Sequence, residues 1–308
     1  MLKARPTPAQ LQDRQRDPVP DGIELYLDRE DLIRDGWLAT IDESVAQAEF
    51  PASFTWIVEA PIRTIRNQYF DLTNDDEDHR ETIRRVLAVG ASIGAVAANI
   101  HVVAPTFDSR HLTSGERERA LERTEGLLTR YVDQCRDFGM VPQVENIPPV
   151  GRMRESAYVF SPIGATTTDL LALADRFDSL RFTADVSHAG LFVNWVTGGD
   201  RGLDPRFQPV VSFFSQRDDA GDVTGYLESL GDRILTIHVS NADGLLGEGL
   251  GYADGSIDLD RVLARFTARP IYLVTETLES RPDQARGMRD AQRHLLALRD
   301  GVAGRARL

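Results

Sequence analysis

Short apolar runs alternate with amphipathic stretches from residue 22 to the end of the chain. GIELYLD (22–28), FTWIVEAPI (54–62), ANIHVVAP (98–105), VPQVENIPP (141–149), LRFTADVSH (180–188), RILTIHVSN (233–241) and PIYLVTET (270–277) read as strands, rich in β-branched and aromatic residues. Between them lie helical patterns: ETIRRVLAVGASIGA, a stretch capped by Ser114 and ending at Gly139, TTTDLLALADRF, TGYLESLGDR, DLDRVLARF and the closing RPDQARGMRDAQRHLLALRDG. The strands read as near-continuous apolar runs, the pattern of parallel strands covered on both faces. Strand–helix repeats, seven or eight of them over about 250 residues, predict an α/β fold of the (β/α)₈ TIM-barrel type. No G-x-G-x-x-G follows an early strand, which removes the usual signal of a doubly wound nucleotide-binding sheet. No linker rich in Pro, Gly or Ser interrupts the pattern, so residues 1–308 read as one domain, with segment 1–20 left undefined. Only MLKAR precedes Pro6. Either it is a short, atypical first strand, or the barrel is open or capped by a partner there.

The formal net charge of −13 repels a phosphate backbone unless a basic patch overrides it. The densest basic stretch, SGERERALERTEGLLTRYVDQCRDFG, alternates Arg with Glu and reads as a solvated helix face, so no nucleic-acid partner is expected. No apolar run approaches the about 18 residues of a membrane span, and the first residues lack a secretory core, so no membrane partner and a cytoplasmic location are expected. Cys135 reads as a structural thiol, NDDED (74–78) as a solvated helix start, and His79, His111 and His294 as surface residues.

Four of the predicted strands end in metal-competent side chains: Glu145, Asp185 with His188, His238, and Glu276. In a parallel barrel such positions converge on one mouth. Three carboxylates and one imidazole suit one divalent cation, with Mn²⁺, Co²⁺ or Mg²⁺ favoured and Zn²⁺ acceptable. Without a cation, three buried carboxylates would repel one another and resist ionisation.

At these residues the chain resembles the xylose-isomerase-like barrel superfamily, which holds sugar isomerases and epimerases, hydroxypyruvate isomerases, inosose and dehydroshikimate dehydratases, and AP endonucleases. The matching pieces are DGIEL, VENIPP, the D-x-x-H of Asp185 to His188, HVSNADG, GEG followed by GSIDLDRVL, and Glu276. The resemblance implies that Glu145, Asp185, His238 and Glu276 hold the metal, that Glu145 and Glu276 are also the acid/base pair, and that His188 contacts substrate or supports a ligand. It implies a metal-dependent isomerase or epimerase acting on a small sugar or keto-polyol through an enediolate. The alternative is a dehydratase or lyase acting on an oxidised sugar, cyclitol or glycoside. An AP endonuclease fits less well, because Glu59 stands at the third-strand position where that branch has a histidine. A barrel without catalysis, serving as a binding or assembly module, is the remaining option.

His101 matches the fourth-strand position of the endonuclease branch and is a candidate substrate contact, with core packing as its alternative. Asn146 either orients a ligand or bonds a neighbouring strand. Glu248 either reaches the site or serves a turn. The segment 191–218 is long for a β/α connection and carries Phe192, Trp195, Phe207, Phe213, Phe214, Arg201 and Arg206. Part of it, Trp195 included, would bear on a ring-shaped substrate as a lid; otherwise the aromatics pack the loop down or form a contact in a homo-oligomer.

Overall fold

A computed structural model describes residues 1–152, 157–198, 204–215 and 221–305. Its centre is a closed barrel of eight parallel strands ringed by helices, a (β/α)₈ TIM-barrel architecture. In chain order the strands are β1 (Leu2–Ala4), β2 (Gly22–Tyr26), β3 (Thr55–Glu59), β4 (Ala97–His101), β5 (Val141–Glu145), the hairpin β6 (Val150–Arg152) and β7 (Tyr158–Phe160), β8 (Arg181–Asp185), β9 (Ile234–Val239), the hairpin β10 (Asn241–Asp243) and β11 (Gly247–Leu250), and β12 (Tyr272–Thr275). Around the barrel the order is β1-β12-β9-β8-β5-β4-β3-β2, so the two hairpins are additions outside the wall.

MLKAR is the first strand, and the barrel is closed through it. β1 pairs in parallel with β2, Lys3 opposite Glu24, and with β12, Leu2 opposite Thr275. The terminal ammonium of Met1 donates to the Leu273 carbonyl at 2.7 Å. The helix Pro8–Arg14 then packs beneath, where buried Arg14 donates to the carbonyls of Lys3 and Pro282 across the seam. Three residues of strand suffice because backbone bonds and a buried guanidinium on both sides hold them.

The strands are less uniformly apolar than their composition suggests. Period-2 alternation sends one set of side chains outward to the helices and the other into the barrel. Ile23, Leu25, Trp56, Val58, Ile100, Val144, Phe182, Ala184, Ile237 and Val239 belong to the main core outside the wall. Alternating with them, Glu24, Glu59, Asn99, Gln143, Glu145, Thr183, Asp185, Thr236 and His238 are buried polar residues. Barrel interiors are usually filled by branched aliphatics; this one is polar toward its carboxyl end.

Several local readings are corrected. The long helix Ser114–Asp137 is capped by Thr113, not Ser114. The helix over 77–93 begins one turn before the apolar pattern, because Asp76 accepts from the His79 backbone amide. His79 is therefore buried rather than on the surface, its ring held by Asp76 at 2.7 Å. Asp78, in the acidic run, is buried against Thr64 and the Arg66 amide. The last residues of LRFTADVSH are helical: Asp185 ends β8 and caps the helix Val186–Thr197. Cys135 is buried, and burial pushes its thiol up to about 12, as a structural thiol requires. No described helix is long and apolar enough to cross a membrane.

Gly164 ties the loop after β7 to the wall. Its φ is +94°, its carbonyl accepts from the Ile147 amide at 3.0 Å, and a Cβ there would meet the Val102 carbonyl oxygen at 1.9 Å. Gly164→Ala therefore combines left-handed strain with a backbone clash that no rotamer relieves. Its expected cost is about 2–4 kcal/mol, measured as a fall in urea midpoint at unchanged slope; a loss below 0.5 kcal/mol, roughly the scatter of neutral surface changes, would refute the argument.

Candidate metal centre

The barrel register brings distant residues to one depth. Asp185 lies opposite His238, His238 opposite Val274, and His101 opposite Glu145. Glu276 follows β12 directly, its amide donating to the Val239 carbonyl at 3.1 Å. One ligand atom from each of Glu145, Asp185, His238 and Glu276 lies within 4.8 Å of the other three.

His238 is the hinge of the group. Its ring is fully buried. Nε2 is 2.5 Å from Glu24 Oε2, which leaves Nδ1 facing Glu145 Oε1 at 3.2 Å, Glu276 Oε2 at 2.6 Å and Asp185 Oδ2 at 3.8 Å. A carboxylate behind a ligating imidazole fixes the tautomer and ring orientation and raises the basicity of the other nitrogen.

Each carboxylate is held from its other side. Asn99 Nδ2 donates to Glu145 Oε2 at 2.5 Å. Asp185 Oδ1 accepts from the His188 amide at 2.6 Å as a helix cap. Glu276 Oε1 is in contact with the Lys3 ammonium, and Lys3 Nζ is also 2.5 Å from Glu59 Oε2. Glu276 is the most open of the four, with 29% of its side chain accessible.

The electrostatics follow from burial and proximity. Burial opposes ionisation of Glu276, but the Lys3 ammonium and His238 outweigh it and bring its carboxyl down to about 2. Glu145 is likewise held well below the usual range by His238, His101 and Lys3 against burial. Asp185 goes the other way: burial, reinforced by Glu276 and Glu145, lifts it to about 6. Burial also pushes Glu59 well up despite Lys3. Lys3 and His238, although burial disfavours their charge, are kept well above their ordinary values by the surrounding carboxylates.

The donor set fits a divalent cation. Glu276 Oε2 and Glu59 Oε2 are each met by a single cationic group, His238 and Lys3, and Glu24 Oε1 is buried without a hydrogen-bond partner, so the carboxylates here outnumber the fixed positive groups. Three carboxylates and one imidazole are hard-to-borderline ligands.

The other sequence candidates divide. His188 lies beside the cluster, Nδ1 2.8 Å from the Asn146 carbonyl and 3.8 Å from Glu145 Oε1. Burial works against its charge, but Asp185 and Glu248 raise it to about 10. Glu248, on β11, faces His188 Nε2 at 3.6 Å. His101 Nε2 is 3.7 Å from Glu145 Oε2. Asn146 bonds the neighbouring strand: its Oδ1 accepts from the Asp185 amide at 2.7 Å and its Nδ2 donates to the Asp185 carbonyl at 3.1 Å. Trp195 is buried away from the cluster, its Nε1 donating to the Leu245 carbonyl and its ring edge-on to Phe207. Phe192, Phe213 and Phe214 are packed in the same core, while Arg201 lies outside the described residues. Sequence reasoning overlooked Lys3, Glu24, Glu59 and Asn99 as members of the site. The signal was a polar residue at the inward step of an apolar strand.

No family model and no curated protein matches the chain. Solved structures do. A D-tagatose 3-epimerase-like protein superposes with a TM-score of 0.64 at 14% identity, covering 98% of this chain and 99% of its own. An L-ribulose 3-epimerase gives 0.63 at 13% identity, covering 99% and 96%. Endonuclease IV from Thermus thermophilus gives 0.53 at 12% identity, covering 96% and 98%. At these identities the likeness concerns the fold.

Two expectations follow. Glu24→Gln cannot hold a protonated His238 Nε2 as a carboxylate does, so manganese affinity should fall about 10- to 100-fold in calorimetric titration; unchanged affinity would remove Glu24 from the site. Protons compete with the cation at Asp185. Its folded pKa is raised to about 6, so the ligating carboxylate form predominates above that value, is half lost there, and falls further as pH drops. Affinity titrated at pH 5, 6 and 7.5 should drop at the acid end with proton release on binding; a flat profile would contradict this.

Proposed function

We propose that the chain is a divalent-metal-dependent isomerase or epimerase of a small sugar or keto-polyol. The observation that carries the reading is the meeting of Glu145, Asp185, His238 and Glu276 within 4.8 Å at the mouth, two of them glutamates able to exchange protons. The likeness in fold to sugar epimerases supports it.

In this reading Glu145, Asp185, His238 Nδ1 and Glu276 hold the cation. When bound there, a divalent ion supplies Lewis acidity toward a carbonyl and an adjacent hydroxyl oxygen, lowering the cost of removing the C–H proton between them. Glu145 and Glu276, at the end of β5 and just after β12, would take that proton and return one. Ionised carboxylates suit the accepting role, and the surrounding positive groups favour the ionised form of both glutamates. The proton returned from the other face would be taken up from solvent by the second glutamate before it is delivered to carbon. The resulting intermediate is of enediolate type. Reprotonation on the opposite face yields the epimer; reprotonation on the adjacent carbon yields the isomer. His188, whose ring meets the Asn146 carbonyl and faces Glu248, would donate to a substrate hydroxyl. Against a nucleic-acid substrate stand the net charge of −13 and the pairing of Glu59 with Lys3 on the third strand.

The test is exchange of a substrate carbon-bound proton with deuterated solvent, followed by NMR over a panel of ketoses in the presence of Mn²⁺. Exchange at a carbon beside the carbonyl is expected, falling about 100- to 10,000-fold in Glu276→Gln. His238→Ala should lose the metal while keeping its fold. No exchange on any substrate with metal fully bound would overturn the proposal, and a water-loss product would reassign the chain to the lyases.

A further inference from the structure

Among the described residues, the four-residue cluster is one of three overlapping groups whose donor atoms lie close enough to share an ion. Glu59, His101 and Glu145 form another, and Glu24, Glu59 and His238 a third, each with its donor atoms within 4.8 Å. The geometry of the second is open to a cation: His101 Nε2 is 4.0 Å from Glu59 Oε1 and 3.7 Å from Glu145 Oε2. By donor count the barrel could take two divalent ions bridged by Glu145.

Lys3 stands against that. It is the sole lysine of the chain, and only 4% of it is exposed. Its ammonium is 2.5 Å from Glu59 Oε2, the oxygen on the other side of the same carboxylate that faces His101, and it also contacts Glu276. β1 is held opposite Glu24 by its register and at its end by the terminal ammonium, so Lys3 cannot easily withdraw. Asn99 further occupies Glu145 Oε2.

We propose that the buried Lys3 ammonium takes the place of a second divalent cation and so limits this barrel to one, a role that rests on the first site binding metal as proposed above. A unit charge one carboxylate away from a dication, where the effective dielectric is far below that of water, lowers the dication's affinity by about a hundredfold or more. Removing the ammonium both lifts that repulsion and frees Glu59, so the Glu59–His101–Glu145 group becomes a site. Arginine at position 3 keeps the charge and the restriction.

The test counts metal. The full-length chain, stripped with chelator and titrated with Mn²⁺, is assayed by elemental analysis and electron paramagnetic resonance, neither of which depends on turnover. The native chain and Lys3→Arg are expected to take up one ion with an uncoupled spectrum. Lys3→Met is expected to take up two, with the signal of spin-coupled neighbours and a second-site affinity about a hundredfold above any second binding by the native chain. One ion in folded Lys3→Met, or two in the native chain, overturns the inference while leaving the first site standing. No ion in the native chain overturns both. Should Lys3→Met not fold, the native titration decides: saturation at one ion up to millimolar Mn²⁺ upholds the restriction, and a second tight ion refutes it.

Discussion

Mutual repulsion of carboxylates is the constraint around which this barrel is built. Glu24, Glu59, Glu145 and Asp185 are buried, and Glu276 stands beside them. Burying such charges uncompensated costs several kcal/mol per ion even after relaxation. The structure answers with fixed positive groups, His238 and Lys3, and with donors such as Asn99 and the His188 amide. Five carboxylates nevertheless share two fixed positive groups, and Glu24 Oε1 remains without a hydrogen-bond partner. A divalent cation would resolve that remainder of unbalanced charge, and the chemistry proposed for the site depends on its binding.

Lys3 connects this electrostatic problem to the architecture. The first strand is three residues long and contributes little surface of its own. It is fixed by parallel pairing on both sides, by the terminal ammonium, and by Arg14 beneath it. What it delivers to the interior is one ammonium group between Glu59 and Glu276. Closure of the barrel and neutralisation of its mouth thus depend on the same few residues at the start of the chain.

Much of this was legible beforehand, for identifiable reasons. Seven strands were marked by dense β-branched and aromatic runs, and four metal-competent residues stood at strand ends, where a parallel barrel must bring them together. The eighth strand was ambiguous because MLKAR is too short to carry a pattern; its role is set by partners more than 270 residues away, such as Leu273. Glu24, Glu59 and Asn99 were overlooked as site members because single polar residues in apolar strands carry no sign of which face they occupy until the register is known. Trp195 reads either as part of a lid over substrate or as a packing or contact residue, because the segment after the D-x-x-H looks like a long loop. The helix Val186–Thr197 instead buries that ring. Asn146 illustrates a real ambiguity, since both of its amide atoms are used to clamp the end of β8, which in turn aims Asp185.

Anomalous diffraction at the manganese edge, from crystals of the native chain grown with Mn²⁺, tests the central claim most directly. The account predicts a peak about 2.0–2.3 Å from His238 Nδ1 and from an oxygen of each of Glu145, Asp185 and Glu276. A well-ordered barrel with no peak among these four side chains, or with the ion bound elsewhere, would contradict it.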